Sequence, residues 1–141
     1  MEVKIVNKSN HRLPEYATAG SAGMDLKADT LEPIVLKTHS SVIIPTNIYI
    51  QLPEGYEAQV RGRSGLAFKY DIVSHLGTID CDYRGPINIK LFNLSNNDFI
   101  VNPGERIAQL VVAKYERVEW DEVATLDETE RGEGGFGSTG R

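Results

Sequence analysis

The chain has 141 residues, with 15 Lys and Arg against 20 Asp and Glu and a formal net charge of -5 at pH 7. That length suits one domain able to bury a core without disulfides or structural metals, and the acidic balance disfavours non-specific attraction to a nucleic-acid backbone or an anionic membrane. The single cysteine, Cys81, has no intrachain partner, and no Cys/His cluster of zinc-ligand spacing surrounds it, so a reducing, cytoplasmic setting is expected.

The opening Met-Glu-Val-Lys-Ile-Val-Asn reads as a strand, not as a basic and then apolar leader, and no apolar run approaches a membrane span. Apolar and polar residues then alternate at Val3 and Ile5, at Met24, Leu26 and Ala28, at Tyr56, Ala58 and Val60, and at Ile87, Ile89 and Leu91. This is the period of a half-buried strand. Turn signals at Leu52-Pro-Glu-Gly55, Arg84-Gly-Pro86 and Asn102-Pro-Gly104 separate the runs at the short intervals of an antiparallel sandwich or barrel. The expected fold is all-β and jelly-roll-like. Helix is expected only from Ser64 or Gly65 through Phe68, with a second short turn over Leu126 to Glu130.

From about Thr129 the apolar period disappears and glycine recurs at 132, 134, 135, 137 and 140 around one aromatic, Phe136. Such a segment carries too little apolar surface to offset the entropy of ordering it. The domain is therefore drawn as residues 1–128, with residues 129–141 as a mobile Gly-rich arm. Gly132-Glu-Gly-Gly-Phe-Gly137 satisfies the GxGxxG string, but the chain continues for only four residues beyond it and no helix follows, which excludes a Rossmann turn. Trp120 is expected to anchor the segment leading into the arm.

Several polar residues stand out against this background. Asp80 and Asp82 flank Cys81 in an extended segment that reads as the tip or edge of a β-hairpin spanning Gly77 to Gly85, so both carboxylates project to one face and the thiol to the other. Such a pair is most often a solvated acidic turn. Gly62-Arg63-Ser64-Gly65 offers a guanidinium fork, a hydroxyl and an approachable amide where a short helix begins, and it is equally an ordinary strand-to-helix turn with a Ser cap. Asp25 follows Met24 on a strand whose Met24 and Leu26 face inward, which sends its carboxylate outward. Gln109 interrupts the apolar run from Ile107 to Ala113 and needs a hydrogen-bond partner there. His11, His39 and His75 sit in no metal-binding or catalytic pattern.

Taken together, Ala22-Gly-Met-Asp25-Leu, Gly62-Arg-Ser64-Gly-Leu, Gly77-Thr-Ile-Asp80-Cys-Asp-Tyr83-Arg-Gly, Arg106-Ile-Ala-Gln109-Leu and Arg131-Gly-Glu-Gly-Gly-Phe136-Gly-Ser-Thr-Gly stand in an order and spacing that resembles the homotrimeric deoxyuridine triphosphatases. The resemblance implies a distorted jelly roll and Mg²⁺-dependent hydrolysis of dUTP to dUMP and pyrophosphate. It assigns Asp80 to activation of the attacking water and Tyr83 to a deoxyribose contact that excludes a 2′-hydroxyl. The backbone of Gly77, Thr78 and Ile79 would read uracil. Arg63, Ser64, Gly65 and Gln109 would hold the phosphate chain, and Asp25 would hold the metal through water. In the arm, Arg131, Phe136, Gly137, Ser138 and Thr139 would close over the nucleotide, and each site would draw on three subunits. Many relatives place an Asn six residues before the catalytic Asp, where this chain has Ser74. The competing expectations are a dCTP deaminase of the same superfamily, whose hairpin reads Asp-Pro-Gly-Phe in place of Asp82-Tyr83-Arg84-Gly85, and a nucleotide-sensing or protein-binding relative without catalysis. Neither a nucleic acid nor a membrane is expected as a partner.

Overall fold

The computed structural model of the chain describes residues 1–138 and 140. Eleven strands and one helix follow one another: β1 (Lys4–Asn7), β2 (Gly23–Lys27), β3 (Ile34–Leu36), β4 (Ser41–Pro45), β5 (Ile48–Gln51), β6 (Tyr56–Arg61), α1 (Ser64–Tyr70), β7 (Ile72–Ser74), β8 (Gly77–Ile79), β9 (Asn88–Asn93), β10 (Phe99–Val101) and β11 (Arg106–Lys114). They form an antiparallel four-stranded sheet in the order β2-β11-β6-β8, a three-stranded sheet β4-β9-β7, and the pairs β1-β5 and β10-β3. The sheets face one another without closing into a barrel among the described residues.

The alternation read in the sequence is what packs them. Leu26 and Ala28, Ala58 and Val60, Ile87, Ile89 and Leu91 all turn into one core with Leu36, Ile44, Ile72, Val101 and Ile107. Burying each large aliphatic side chain contributes about 1.5 to 3 kcal/mol. Two of the polar side chains trapped in this core are satisfied: the Thr46 hydroxyl donates to the Ile87 carbonyl at 2.6 Å, and the Asn93 amide donates to Leu36 O at 3.0 Å and Asn97 O at 2.7 Å. The turns fall where expected, with Gly55 at φ +82 between β5 and β6 and Gly104 at φ +76 between β10 and β11. Left-handed φ of that kind is open to Gly at no steric cost, and at Gly104 a side chain would also press on the His11 ring.

Five expectations need correction. Helix α1 runs to Tyr70, two residues past Phe68, because Asp71 closes it in a left-handed conformation (φ 54) with its N–H on the Ala67 carbonyl at 3.1 Å. Its N-cap is Arg63 and makes no side-chain cap bond, so Ser64 is the first helical residue and not a capping Ser. Residues 126–130 form no helical turn. The Gly77 to Gly85 segment is not a hairpin: β8 belongs to the four-stranded sheet and β9 to the three-stranded one, so residues 80–87 cross between sheets. Trp120, 92% exposed, anchors nothing among the described residues.

Candidate active site

On the outward face of the four-stranded sheet, Asp25 of β2, Gln109 of β11 and Arg61 of β6 occupy one cross-strand row. Because Met24 and Leu26 face the core, pleating sends the side chains of this row to the other side. Gln109 lies flat across Gly23, where any Cβ would collide with its amide oxygen, and donates from Nε2 to the Gly62 carbonyl at 2.8 Å. The polar residue in an apolar strand thus finds its partner at the turn leading into α1, and it ties β2, β11 and that turn into one surface.

The turn delivers Arg63 to the same place. Its Nε donates to Asp25 Oδ1 at 3.0 Å and its Nη1 to the Arg106 carbonyl at 3.2 Å, while Arg106 Nη1 donates to Asp25 Oδ2 at 3.3 Å. Asp25 is therefore shared between two guanidinium groups. Around this pair opens a cleft of about 340 Å³ whose walls include Asp25, Arg61, Arg63, Ser64, Gly65, Arg106 and Gln109. One carboxylate among three arginines leaves the cleft cationic in a chain of net charge -5. Ser64 is exposed and Gly65 has open space beside its Cα, so a ligand oxygen can approach the hydroxyl and backbone closely. Such a cleft is suited to a phosphate chain.

The remaining candidates lie elsewhere. Strand β8, carrying Gly77, Thr78 and Ile79, pairs with β6 on one side and forms the opposite edge of the sheet from β2. An edge strand presents unpaired N–H and C=O groups along its free side. Asp80 follows directly, exposed, with its carbonyl accepting the Tyr83 N–H at 3.1 Å in a tight turn; Cys81 points inward and packs against the core. Tyr83 folds its ring over Gly85 and donates its hydroxyl to the Pro86 carbonyl at 3.1 Å, leaving the residue 44% exposed. Three strand spacings across and four residues along the sheet separate Asp80 from Asp25, about 20 Å. Asp80 and Tyr83 take no part in the arginine cleft of their own chain.

Nor does the arm. Arg131 turns back on itself, donating from Nε to the Gly134 carbonyl at 2.8 Å, and the Ser138 N–H bonds to Gly135 O at 3.0 Å. Phe136 stands fully exposed at φ 51, beside Gly137 at φ 87. Thr139 lies outside the described residues. Ser74 of β7 points its hydroxyl toward Gly62, where it is buried without a partner.

Sequence reasoning passed over Arg61 and Arg106. Arg61 ends β6 in the Gln109 row itself, where a cation on the outward face was the available signal, whereas Arg106 opens β11 three residues before Gln109. For a divalent ion the cleft offers one carboxylate, Asp25, and among the described residues no three Asp, Glu, His or Cys converge. Each Asp25 oxygen accepts one N–H and keeps a second lone pair. That donor set fits an ion that arrives with the phosphates and keeps its water shell, as Mg²⁺ does.

A β-sandwich with a cationic cleft on one side of a sheet and a free strand edge at the other is chemically suited to receive phosphate groups and a hydrogen-bonding ring. The chain belongs to the dUTPase family, whose profile matches residues 9–140. It is 54% identical over 142 residues to a deoxyuridine 5′-triphosphate nucleotidohydrolase of Finegoldia magna, covering 99% of both chains. It is 56% identical over 144 residues to that of Rickettsia prowazekii, covering 99% of this chain and 97% of the relative. Among solved structures it superposes with a TM-score of 0.86 on a variant of the Staphylococcus bacteriophage 80alpha dUTPase with dUpNHpp, at 27% identity and 99% coverage of each chain. Among the described residues no helix is long and apolar enough to cross a membrane.

Proposed function

We propose that the protein hydrolyses dUTP to dUMP and pyrophosphate, keeping uracil out of DNA and supplying dUMP for thymidylate synthesis. The observation that carries this reading is the cleft in which one carboxylate is set among three arginines beside Ser64, Gly65 and Gln109. Arg63, Ser64 and the Gly65 amide bind the phosphate oxygens, and Gln109 holds the Gly62 carbonyl so that the turn keeps its shape. Asp25 would hold the water shell of a Mg²⁺ ion carried by the triphosphate, which when bound neutralises phosphate charge. Asp80 takes a proton from the attacking water and fixes its line of approach to the α-phosphorus, since water is a poor nucleophile without a base.

Specificity comes from the other edge. The free backbone of Gly77, Thr78 and Ile79 meets the pairing edge of uracil. Cytosine would leave buried donors facing donors, which can cost about ten-thousandfold in rate. Tyr83 packs on the deoxyribose where a 2′-hydroxyl would have no room.

On the resemblance to the homotrimeric deoxyuridine triphosphatases, the complete site is formed between copies in a homotrimer, and the separation of about 20 Å between Asp80 and Asp25 within one chain agrees with that reading. One copy gives the Asp25, Ser64 and Gln109 cleft, a second gives the Asp80 turn, and the arm comes from a third. Exposed apolar side chains before the arm, Val118, Trp120, Val123 and Leu126, support this, because each has surface to bury against a neighbour. Residues 129–141 then close over the domain of residues 1–128, with Phe136 stacked on uracil and Arg131, Gly137 and Ser138 over the phosphates, excluding bulk water. The same reading takes the enzyme to be soluble and cytoplasmic.

The test is incubation with Mg²⁺ and, separately, dUTP, dCTP, dTTP and UTP, reading pyrophosphate and ammonia. Pyrophosphate from dUTP alone is expected. Ammonia from dCTP would move the chain to the deaminase branch, and no product from any of the four would leave a nucleotide-binding protein.

A further inference from the structure

We propose that Arg106 is a positioning residue for the phosphate cleft: by gripping Asp25 it keeps the Arg63 guanidinium free to receive phosphate. The inference rests on the nucleotide reading of that cleft. Arg106 opens β11 opposite Lys27 of β2, an unfavourable pairing of like charges. The register then slips between Arg106 and Ala108, so that Leu26 faces Ala108 and Ile107 is the extra residue, buried in the core. A bulge of this kind bends a strand and re-aims a side chain, and here it accompanies an Arg106 guanidinium turned onto Asp25.

Arg106 holds both members of the neighbouring pair, the Asp25 carboxylate through Nη1 at 3.3 Å and Arg63 through its own carbonyl at 3.2 Å. Without the Arg106 side chain, both Asp25 oxygens would be free to fork over Arg63 in a closed bidentate pair. That pair is neutral and has no charge left for a phosphate. With Arg106 present, one carboxylate is divided between two guanidiniums and the trio keeps a net positive charge. Arg63 and Asp25 are 27% and 20% exposed, so water screens their attraction only in part, whereas Arg106, at 55%, can reach Asp25 from the solvent side.

Equilibrium binding of dUpNHpp, measured by calorimetry with and without Mg²⁺, tests this. Arg106→Gln is expected to weaken binding about tenfold in both conditions, and Arg106→Lys, which restores the charge, to recover most of it. In an Asp25→Asn background the carboxylate that closes on Arg63 is gone, so Arg106→Gln should then cost less than about twofold. Equal losses in both backgrounds would mean that Arg106 touches the phosphates itself and would overturn the proposal, as would full binding by Arg106→Gln. If Arg106→Gln lowers the thermal midpoint, the same comparison is made at a temperature at which both backgrounds remain folded. Failure of the unaltered protein to bind dUpNHpp would instead remove the nucleotide reading.

Discussion

The cleft around Gln109 and the segment after Lys114 show opposite ways of holding polar and apolar groups. In the cleft nearly every polar side chain has an address in its own chain: Gln109 on Gly62, Arg63 and Arg106 on Asp25, Arg61 on Gln59. Beyond Tyr115, Val118, Trp120 and Leu126 are 68, 92 and 87% exposed, and the hydrogen bonds of the arm are local turns. The first region is prepared before substrate arrives, which spares the ordering cost at binding. In the proposed account the second is ordered by contacts outside its own chain, supplied by a neighbouring copy and the nucleotide.

Breaking the two sides separately should give distinct signatures. The largest effect is expected from Asp80→Asn, with turnover reduced by about a hundredfold to ten-thousandfold, the range of a lost general base, while dUpNHpp binding stays within about twofold. Near-normal turnover in a steady-state assay would remove Asp80 from that role. Deleting the residues after Glu130 should lower turnover by about a hundredfold or more, as loss of a closing segment that excludes water, with an unchanged thermal midpoint in calorimetry; an unchanged rate would sink the lid. Gly23→Ala sharpens the other side: its methyl would displace the Gln109 amide, free the Gly62 carbonyl, and weaken dUpNHpp binding by about tenfold, the scale of one lost hydrogen bond to a prepared site.

The smallest expected effect concerns stability. Burial pushes the Asp29 carboxyl up, but hydrogen bonds from the Asn47 side chain and the Asn10 amide, with the nearby His11, outweigh it, so its pKa lies below the ordinary carboxylate value. A carboxylate depressed in the folded state stabilises the fold above its unfolded pKa of about 3.9 and loses that contribution as pH falls through the lower folded value. Unfolding midpoints measured between about pH 5 and pH 2 should therefore fall less steeply for Asp29→Asn than for the unaltered protein.

Much of this was legible in the chain. Two-residue periodicity at Ala58 and Val60 and at Ile89 and Leu91 placed strands in the core, because pleating leaves each side chain only two directions. Turn residues at Gly55 and Gly104 marked their ends, because left-handed φ narrows the choice of residue. The Gly77 to Gly85 crossover was misread as a hairpin, since the local signals of a turn do not say which sheet the next strand will join. Arg106 was read only as the first residue of its motif, without a role, because its orientation comes with a register slip between two strands distant in sequence. The role of Trp120 was likewise illegible, as an exposed aromatic has meaning only once its neighbour is known.

The central claim is that the Asp80 turn and the Arg63 cleft of one working site come from different copies. Copies carrying Asp80→Asn and copies carrying Arg63→Ala, each with its own affinity tag, can be co-expressed, purified through both tags and assayed for pyrophosphate release from dUTP. The account predicts that each variant alone is nearly inactive and that the mixed assembly regains a substantial fraction of normal turnover, because some sites then receive an intact Asp80 and an intact Arg63 from two neighbours. A mixed assembly no more active than its parents would place both residues in one chain's site and contradict the account.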